Sequence, residues 1–556
     1  MRASAVLLAL GCVVLNQAQA QQNPVYLNSN EIERQLPTPN LPADAYRPRS
    51  PALKLPEAAK PQPLKLNTRV RVREVKIEGG SIYPFAELKA VYQPFVGRDV
   101  SLAELIEATR SVTRRYQDDG YLLSYAFLPV QGFEQGRVRV VLVEGYVKDY
   151  QIQGDIGAVR AHVDKLAARL QAERPLTRRT FERYTSLMGR IPGVTLSARV
   201  PPPATTDGAS HLQIQASRKP WTSSLNFSED NRGSAQAVLG LSSNAQTVLA
   251  EQVSFSVLAP PGEDDERYYR LDYSQYLGSD GTRLNLYGSH YRSQPEDNLR
   301  LANGLELERH LSNDRLSIGV SHPFIAAQKE WLSLGARLYG VNDRVRYDVV
   351  GFPLSIDADT DLRALALEGD WSRSDATRLR ILSAGLYRGL DAFGARTDNG
   401  LFDLEFTRLR LSGVQSDRFG ERWQGVLSAA LYWSEDNLPD AEQVVFGGQN
   451  FGRGYPSDQA SGDKGWGAAY ELNYSHRREG QWLRLLQPYV VVDAAQAWFN
   501  QQPIARSRLS SLASGLRLGD ARYYNVALEV AKPMSDEALD SHNRSPRVTL
   551  SFSYQL

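Results

Sequence analysis

The chain has 556 residues, a formal charge of +1, 42% apolar residues, one cysteine and three methionines. That balance gives no global electrostatic pull toward nucleic acid. Beyond the first twenty residues, no run reaches the ~18–20 consecutive apolar residues that a membrane-crossing helix needs.

Residues 1–20 are expected to be an export signal. Arg2 precedes an apolar run from Ala3 to Leu15, and Ala18-Gln19-Ala20 forms a small-residue cleavage site before Gln21. Cys12 lies inside the apolar run, and Ala9-Leu10-Gly11 is a poor match to the Leu-Ala-Gly that usually precedes a lipidated cysteine. With the signal removed no cysteine is left, which excludes disulfides, thiol catalysis and cysteine-ligated metals. In residues 21–36, the stretch Asn28 to Leu36 suits either a short polar helix capped by Asn or Ser, or an unstructured tail. Residues 37–67 hold prolines at 37, 39, 42, 48, 51, 56, 61 and 63, so they form a stiff, extended linker and no packed core.

Two similar modules follow, over residues 68–147 and 148–219. In the first, Val72–Ile77 reads as a strand, and Pro84–Phe95 as a short helix. Ser101-Leu-Ala-Glu104 is a capping-box start for a second helix, whose apolar face runs through Leu102, Leu105, Ile106, Thr109, Val112 and Tyr116. Leu123–Pro129 and Arg137–Glu144 close the unit as strands. The second module repeats the order, with a strand at Val147–Gln153 and helices over about 158–170 and 177–188. Strands at Thr195–Val200 and His211–Ser217 complete it. Each is a β-α-α-β-β unit large enough for its own small core.

Charge and pattern change together near Pro220. Residues 68–219 carry 23 Lys/Arg against 16 Asp/Glu, whereas residues 220–556 carry 34 against 43. From Trp221 the apolar period is two, and seventeen candidate strands can be placed. Those beginning near Gly304 and Leu316 could be one bent strand; because bacterial barrels favour even numbers, sixteen are expected over 220–556. The last is the clearest, with Val548, Leu550, Phe552, Tyr554 and Leu556 on one face. With 27 Tyr, 17 Phe and 42 Gly in an exported chain, a closed outer-membrane barrel is favoured over a secreted β-sandwich or β-helix.

Within this region, Phe446-Gly-Gly-Gln-Asn-Phe451-Gly452-Arg453-Gly454-Tyr455 is a glycine-rich turn between strand-like flanks. An arginine facing lipid midway across a bilayer costs roughly 2–4 kcal/mol, so Arg453 needs a polar destination. That is either an exposed hairpin turn or a barrel lumen. Asp493 interrupts Val490-Val491-Val492 in a lipid-facing strand and is expected to point inward, as is Glu529 between Leu528 and Val530.

Taken together, the export signal, short N-terminal segment, proline linker, two small modules and sixteen strands resemble a TpsB transporter. These are the outer-membrane halves of two-partner secretion in the BamA-like superfamily. The resemblance implies a mainly β fold: a sixteen-stranded transmembrane antiparallel β-barrel preceded by two POTRA-like periplasmic domains. It rests most specifically on Arg453-Gly454-Tyr455, after Leu438-Pro439, Glu442-Gln443 and Gly447-Gly448. Gly452 stands where the family usually has valine or isoleucine.

The resemblance further implies that Phe451, Gly452, Arg453, Gly454 and Tyr455 form a secretion loop in the lumen. Asp493 on strand 13 is the expected ion-pair partner of Arg453, with Glu529 a second candidate. Residues 21–36 would plug the resting pore. The POTRA domains would bind the secretion domain of a large TpsA-type exoprotein. Transport would need no nucleotide, which agrees with a chain that has no P-loop, no Gly-x-Ser-x-Gly and seven scattered histidines. No cofactor, metal, catalytic residue or nucleic-acid partner is expected. The implied surroundings are outer-membrane lipid and lipopolysaccharide, with insertion by the barrel-assembly machinery and a monomeric state. Two alternatives remain at this point. An insertase would bring more POTRA modules, and a porin or barrel phospholipase would need none.

Overall fold

The computed structural model describes residues 68–556 except 234, 260–264, 296–298, 301–305, 399, 401, 450, 481, 502–505 and 521. The expected export signal, plug segment and proline linker lie outside the described residues.

The first module is built on alternation. Val75 and Ile77 on strand Glu74–Glu78 are buried with Val138, Val140 and Leu142 on strand Arg137–Val143, and the two strands run parallel. Tyr125–Phe127 adds an antiparallel third strand. Helix Leu102–Asp118 covers the sheet with Leu105, Val112 and Tyr116. Both arms of its capping box form: Ser101 Oγ accepts from Glu104 N at 3.3 Å, and Glu104 Oε2 from Ser101 N at 2.7 Å. A small extra sheet pairs Arg69–Arg71 with Asp99–Ser101, a pairing that the sequence pattern did not reveal.

The second module repeats the plan. Strand Tyr146–Gln153 lies parallel to Ala209–Arg218, which pairs antiparallel with Val194–Arg199. Helices Arg160–Ala172 and Arg178–Met188 bury Val163, Leu166, Leu170, Phe181 and Leu187 against them. The modules are joined by backbone bonds from Arg178 N to Gly120 O (2.7 Å) and from Leu176 N to Gly145 O (2.9 Å).

The second module's core continues into the barrel through Ala245, Ala250, Tyr276 and Ala326. Arg218 Nη1 donates to Ala245 O at 2.6 Å, Tyr276 Oη donates to Arg190 O at 3.0 Å, and the Arg190 guanidinium stacks 3.6 Å from the Trp331 ring centre. All of these barrel residues sit at turns between even- and odd-numbered strands. They therefore define one rim, the one next to the modules.

Sixteen antiparallel strands close the barrel. The last, Arg547–Gln555, pairs with the first, Trp221–Asp230, from Thr549↔Asp230 to Gln555↔Ser224. Leu556 and Ser223 then exchange backbone bonds, so the terminal residue leaves no open edge. The candidates at Gly304 and Leu316 prove to be one strand, Glu306–Ala326, of 21 residues. It and its neighbours, Glu330–Val349 and Ser355–Ser374, are about twice the ~10 residues a bilayer needs, so they project beyond it. The two faces alternate as a bilayer requires. On Leu485–Trp498, Val490 and Val492 are 49% and 52% exposed, while Val491 and Asp493 between and beside them are buried.

Candidate functional site: a loop seated in the barrel lumen

The segment between the eleventh strand, Trp423–Ser434, and the twelfth, Lys464–Tyr474, folds back into the barrel. Val444–Phe446 pairs with Ala460–Gly462 as a short hairpin. Beyond it the chain closes on itself: Gly447 N donates to Phe451 O (2.9 Å), Gly448 N to Tyr455 O (3.1 Å) and Tyr455 N to Gly452 O (2.9 Å). Phe446, Phe451 and Tyr455 are buried with Tyr489, Val491, Ala495, Leu509, Ala513 and Ala531, which all belong to inward faces of the wall. Small wall residues make room for the loop's aromatics. This apolar packing is the first reason the loop sits inside.

Two glycines set its path. Gly452 has φ +94°, a conformation that β-branched residues essentially do not adopt. The space that a side chain would take here is filled by Leu509, whose Cδ1 lies 2.9 Å from where a Cβ would sit. Gly454 passes so close to the fifteenth strand, Tyr524–Pro533, that a Cβ would lie 2.6 Å from Pro533 N.

The polar contacts divide between backbone and side chain. Asp493 Oδ1 accepts Gly452 N–H at 2.7 Å and Oδ2 accepts Arg453 N–H at 3.4 Å. Ser511 Oγ accepts Gly454 N–H at 3.0 Å. The Arg453 guanidinium turns away from Asp493. Its Nη1 meets Glu529 Oε2 at 2.5 Å and its Nη2 lies 3.4 Å from Glu471 Oε2. The expected Arg453–Asp493 ion pair is thus corrected: the guanidinium pairs with Glu529, the second candidate, and with Glu471. The reason is register. Asp493 lies level with the loop's backbone, whereas the long arginine side chain reaches farther along the lumen.

That cluster extends beyond the residues singled out from sequence. Arg517 binds Glu471 with both terminal nitrogens (2.7 and 2.9 Å), donates to Asn473 Oδ1 at 2.9 Å and stacks 3.9 Å from the Tyr489 ring centre. Tyr489 Oη donates to Glu529 Oε2 at 2.9 Å. Each buried charge therefore has a counter-charge and hydrogen bonds, the condition for tolerating it away from bulk water. The signal for Glu471 was present: it lies between Tyr470 and Leu472 on a strand whose alternation sends it inward. Tyr455 anchors the far side, with Ser535 N donating to its Oη at 3.1 Å. Among the described residues, no group of three or more His, Cys, Asp or Glu is arranged to hold a metal ion.

Comparison with known proteins gives the same architecture. Residues 70–145 match the model of the POTRA domain, ShlB-type, and residues 208–518 match that of the haemolysin secretion/activation protein ShlB/FhaC/HecB. The chain is similar to the heme/hemopexin transporter protein HuxB of Haemophilus influenzae (strain 86-028NP), with 22% identity over 82% of each chain. It is 23% identical to the outer membrane transporter CdiB of Escherichia coli O6:K15:H31, over 73% of this chain and 69% of that protein. Among solved structures, CdiB from Escherichia coli superposes with a TM-score of 0.70 at 19% identity, covering 90% of this chain and 93% of that one. CdiB from Acinetobacter baumannii gives 0.63 at 14% identity, covering 91% and 95%.

Proposed function

Since the chain belongs to the haemolysin secretion/activation protein family ShlB/FhaC/HecB, outer-membrane β-barrel transporters with periplasmic POTRA domains, we propose that it exports one large exoprotein through its own lumen. The POTRA modules capture the secretion domain of that exoprotein, and the extended chain then passes the barrel, drawn by folding outside and not by nucleotide hydrolysis. The loop carrying Arg453 is the moving part. In the resting state it occupies the lumen, and displacing it opens the path. Residues 21–36 act as a plug in the same state. The protein works as a monomer, has no enzymatic activity, and reaches the membrane through the barrel-assembly machinery.

One observation carries this reading: a loop buried in the lumen of a closed barrel holds its arginine by two carboxylates, Glu529 and Glu471, and not by apolar packing alone. Ion pairs of this kind can be exchanged for water or for a passing chain, which a fully apolar plug cannot do. Among the described residues, Glu74–Glu78 and Val194–Arg199 are edge strands of their sheets, which supports strand addition by the exoprotein.

The test is co-expression with candidate exoproteins and assay of the culture medium. Export that depends on this chain, and on Arg453 in it, is the expected result. Absence of export for every large exported candidate encoded beside the gene would overturn the reading.

A further inference from the structure

The loop is also fixed to the lumen wall at its base, away from the Arg453 tip. There, Glu442 Oε2 lies 2.9 Å from Arg408 Nη2, and both side chains are 2% exposed. Arg408 Nη1 also donates to the Glu442 backbone carbonyl at 2.7 Å. Arg408 stands on the tenth strand, Thr407–Phe419, with its guanidinium 4.3 Å from the ring centre of Tyr387 on the ninth, Arg378–Gly389. Tyr387 Oη in turn donates to Glu368, which pairs with Arg337 at 3.0 Å. Arg315, from the sixth strand, Glu306–Ala326, donates to Ala441 O at 2.9 Å. Leu438 is buried among Tyr339, Leu362, Ala364 and Phe406.

The base therefore rests on strands six to ten, while the tip rests on strands twelve to fifteen. In a closed ring of sixteen, these are separate arcs of wall, and the loop spans between them as a strut. A strut held at only one end can swing.

We propose that Arg408 and Glu442 are a positioning pair that fixes the loop across the pore, so that closure of the lumen depends on a second lock, distinct from the Arg453 seat. The inference rests on reading the loop as the part that closes the lumen. A buried pair suits the task, because removing one partner strands the other charge away from water, whereas restoring opposite charges restores the contact.

The test is ionic conductance of the purified full-length chain in planar lipid bilayers, with heat-modifiable migration as the check on barrel folding. Glu442→Gln and Arg408→Gln are each expected to raise mean conductance severalfold. Exchanging the charges, Arg408→Glu with Glu442→Arg, is expected to return it toward wild type. Adding Glu442→Gln to Arg453→Ala is expected to raise conductance beyond Arg453→Ala alone. Wild-type conductance in the single variants, no rescue by the exchange, or no additional rise in the combination overturns the proposal. If the Gln variants do not yield a folded barrel, Arg408→Lys keeps the charge but loses the two-nitrogen grip; wild-type conductance there counts against the proposal equally. Conductance needs no exoprotein, so a conductance response from a chain that exports none of the candidate exoproteins would sink the secretion reading and leave the positioning pair standing.

Discussion

Asp493 holds Gly452 by its backbone N–H at 2.7 Å, and the same carboxylate takes the next N–H, that of Arg453. The aspartate thus orients the loop, and the arginine side chain is left to reach Glu529. Orientation and charge pairing belong to different residues.

This division predicts different outcomes for two charge exchanges. Arg453→Glu with Glu529→Arg is expected to recover most of the loop's seating lost in either single variant. Arg453→Asp with Asp493→Arg is not, because it destroys the acceptor for two backbone donors, each such charged bond being worth about 1.5–3 kcal/mol. Cleavage of the loop in intact cells by proteinase K, which needs no basic residue at position 453, measures seating. Equal recovery by both exchanges would refute the division.

Gly452→Val, which restores the residue usual in the family, is expected to weaken seating here. A non-glycine residue held at φ +94° costs of order 1–3 kcal/mol, and the valine also meets Leu509. That is about a 5- to 150-fold loss in the seated fraction relative to the released one. The combination with Leu509→Ala relieves only the clash and is expected to recover part of the loss. Unchanged protection from proteinase K in Gly452→Val would show that the backbone relaxes at no cost.

The barrel was legible because its signal is repeated: lipid forces alternation on every strand, and Asp493 and Glu529 stood out as breaks in apolar runs. Alternation fixes which face a residue takes but not its height along the lumen. That is why the inward placement of Asp493 was legible and its hydrogen-bond partner was not. The Arg408–Glu442 contact joins residues 34 apart across a loop, and no local pattern encodes it. The outer halves of strands six to eight project past the bilayer, where lipid no longer imposes a period, so their length is not written in the pattern.

In the first POTRA module, Glu144 fastens the turn after Glu74–Glu78. It accepts from Ser81 N (2.7 Å), Ser81 Oγ (2.6 Å), Ile82 N (3.0 Å) and Tyr116 Oη (2.9 Å). Burial works against its charge, but these donors outweigh burial and hold the carboxyl below its ordinary value. A depressed acid contributes stability above its unfolded pKa, and that stability is lost as pH falls through the folded value. The module is therefore expected to weaken below about pH 4.3, the ordinary glutamate value. Glu144→Gln should flatten that dependence and lower stability near neutrality by about 1–3 kcal/mol. Denaturant titration of the full chain, followed by exchange of amide hydrogens on helix Leu102–Asp118, measures both. An unchanged acid limb in the variant would assign the dependence elsewhere.

The seam between the second module and the barrel carries its own acid sensitivity. His162, on helix Arg160–Ala172, is buried with its ring centre 5.0 Å from that of Tyr276 on the barrel's fourth strand, Arg267–Tyr276. Burial, and after it the charge of Lys165, lowers its pKa to about 4. The folded seam thus favours neutral imidazole, while the unfolded chain binds a proton near pH 6.5. Between those values the unfolded state holds more protons, so the seam's stability is complete above about pH 6.5 and declines as pH falls toward 4. Amide exchange on Arg160–Ala172 is expected to quicken over that window in the wild-type chain. In His162→Gln, which keeps a polar side chain of similar reach but cannot titrate, the window should disappear while the apolar contacts of Val163 and Leu166 persist. If exchange quickens identically in the variant, a different group opens the seam, and His162 serves only to fill the space beside Tyr276.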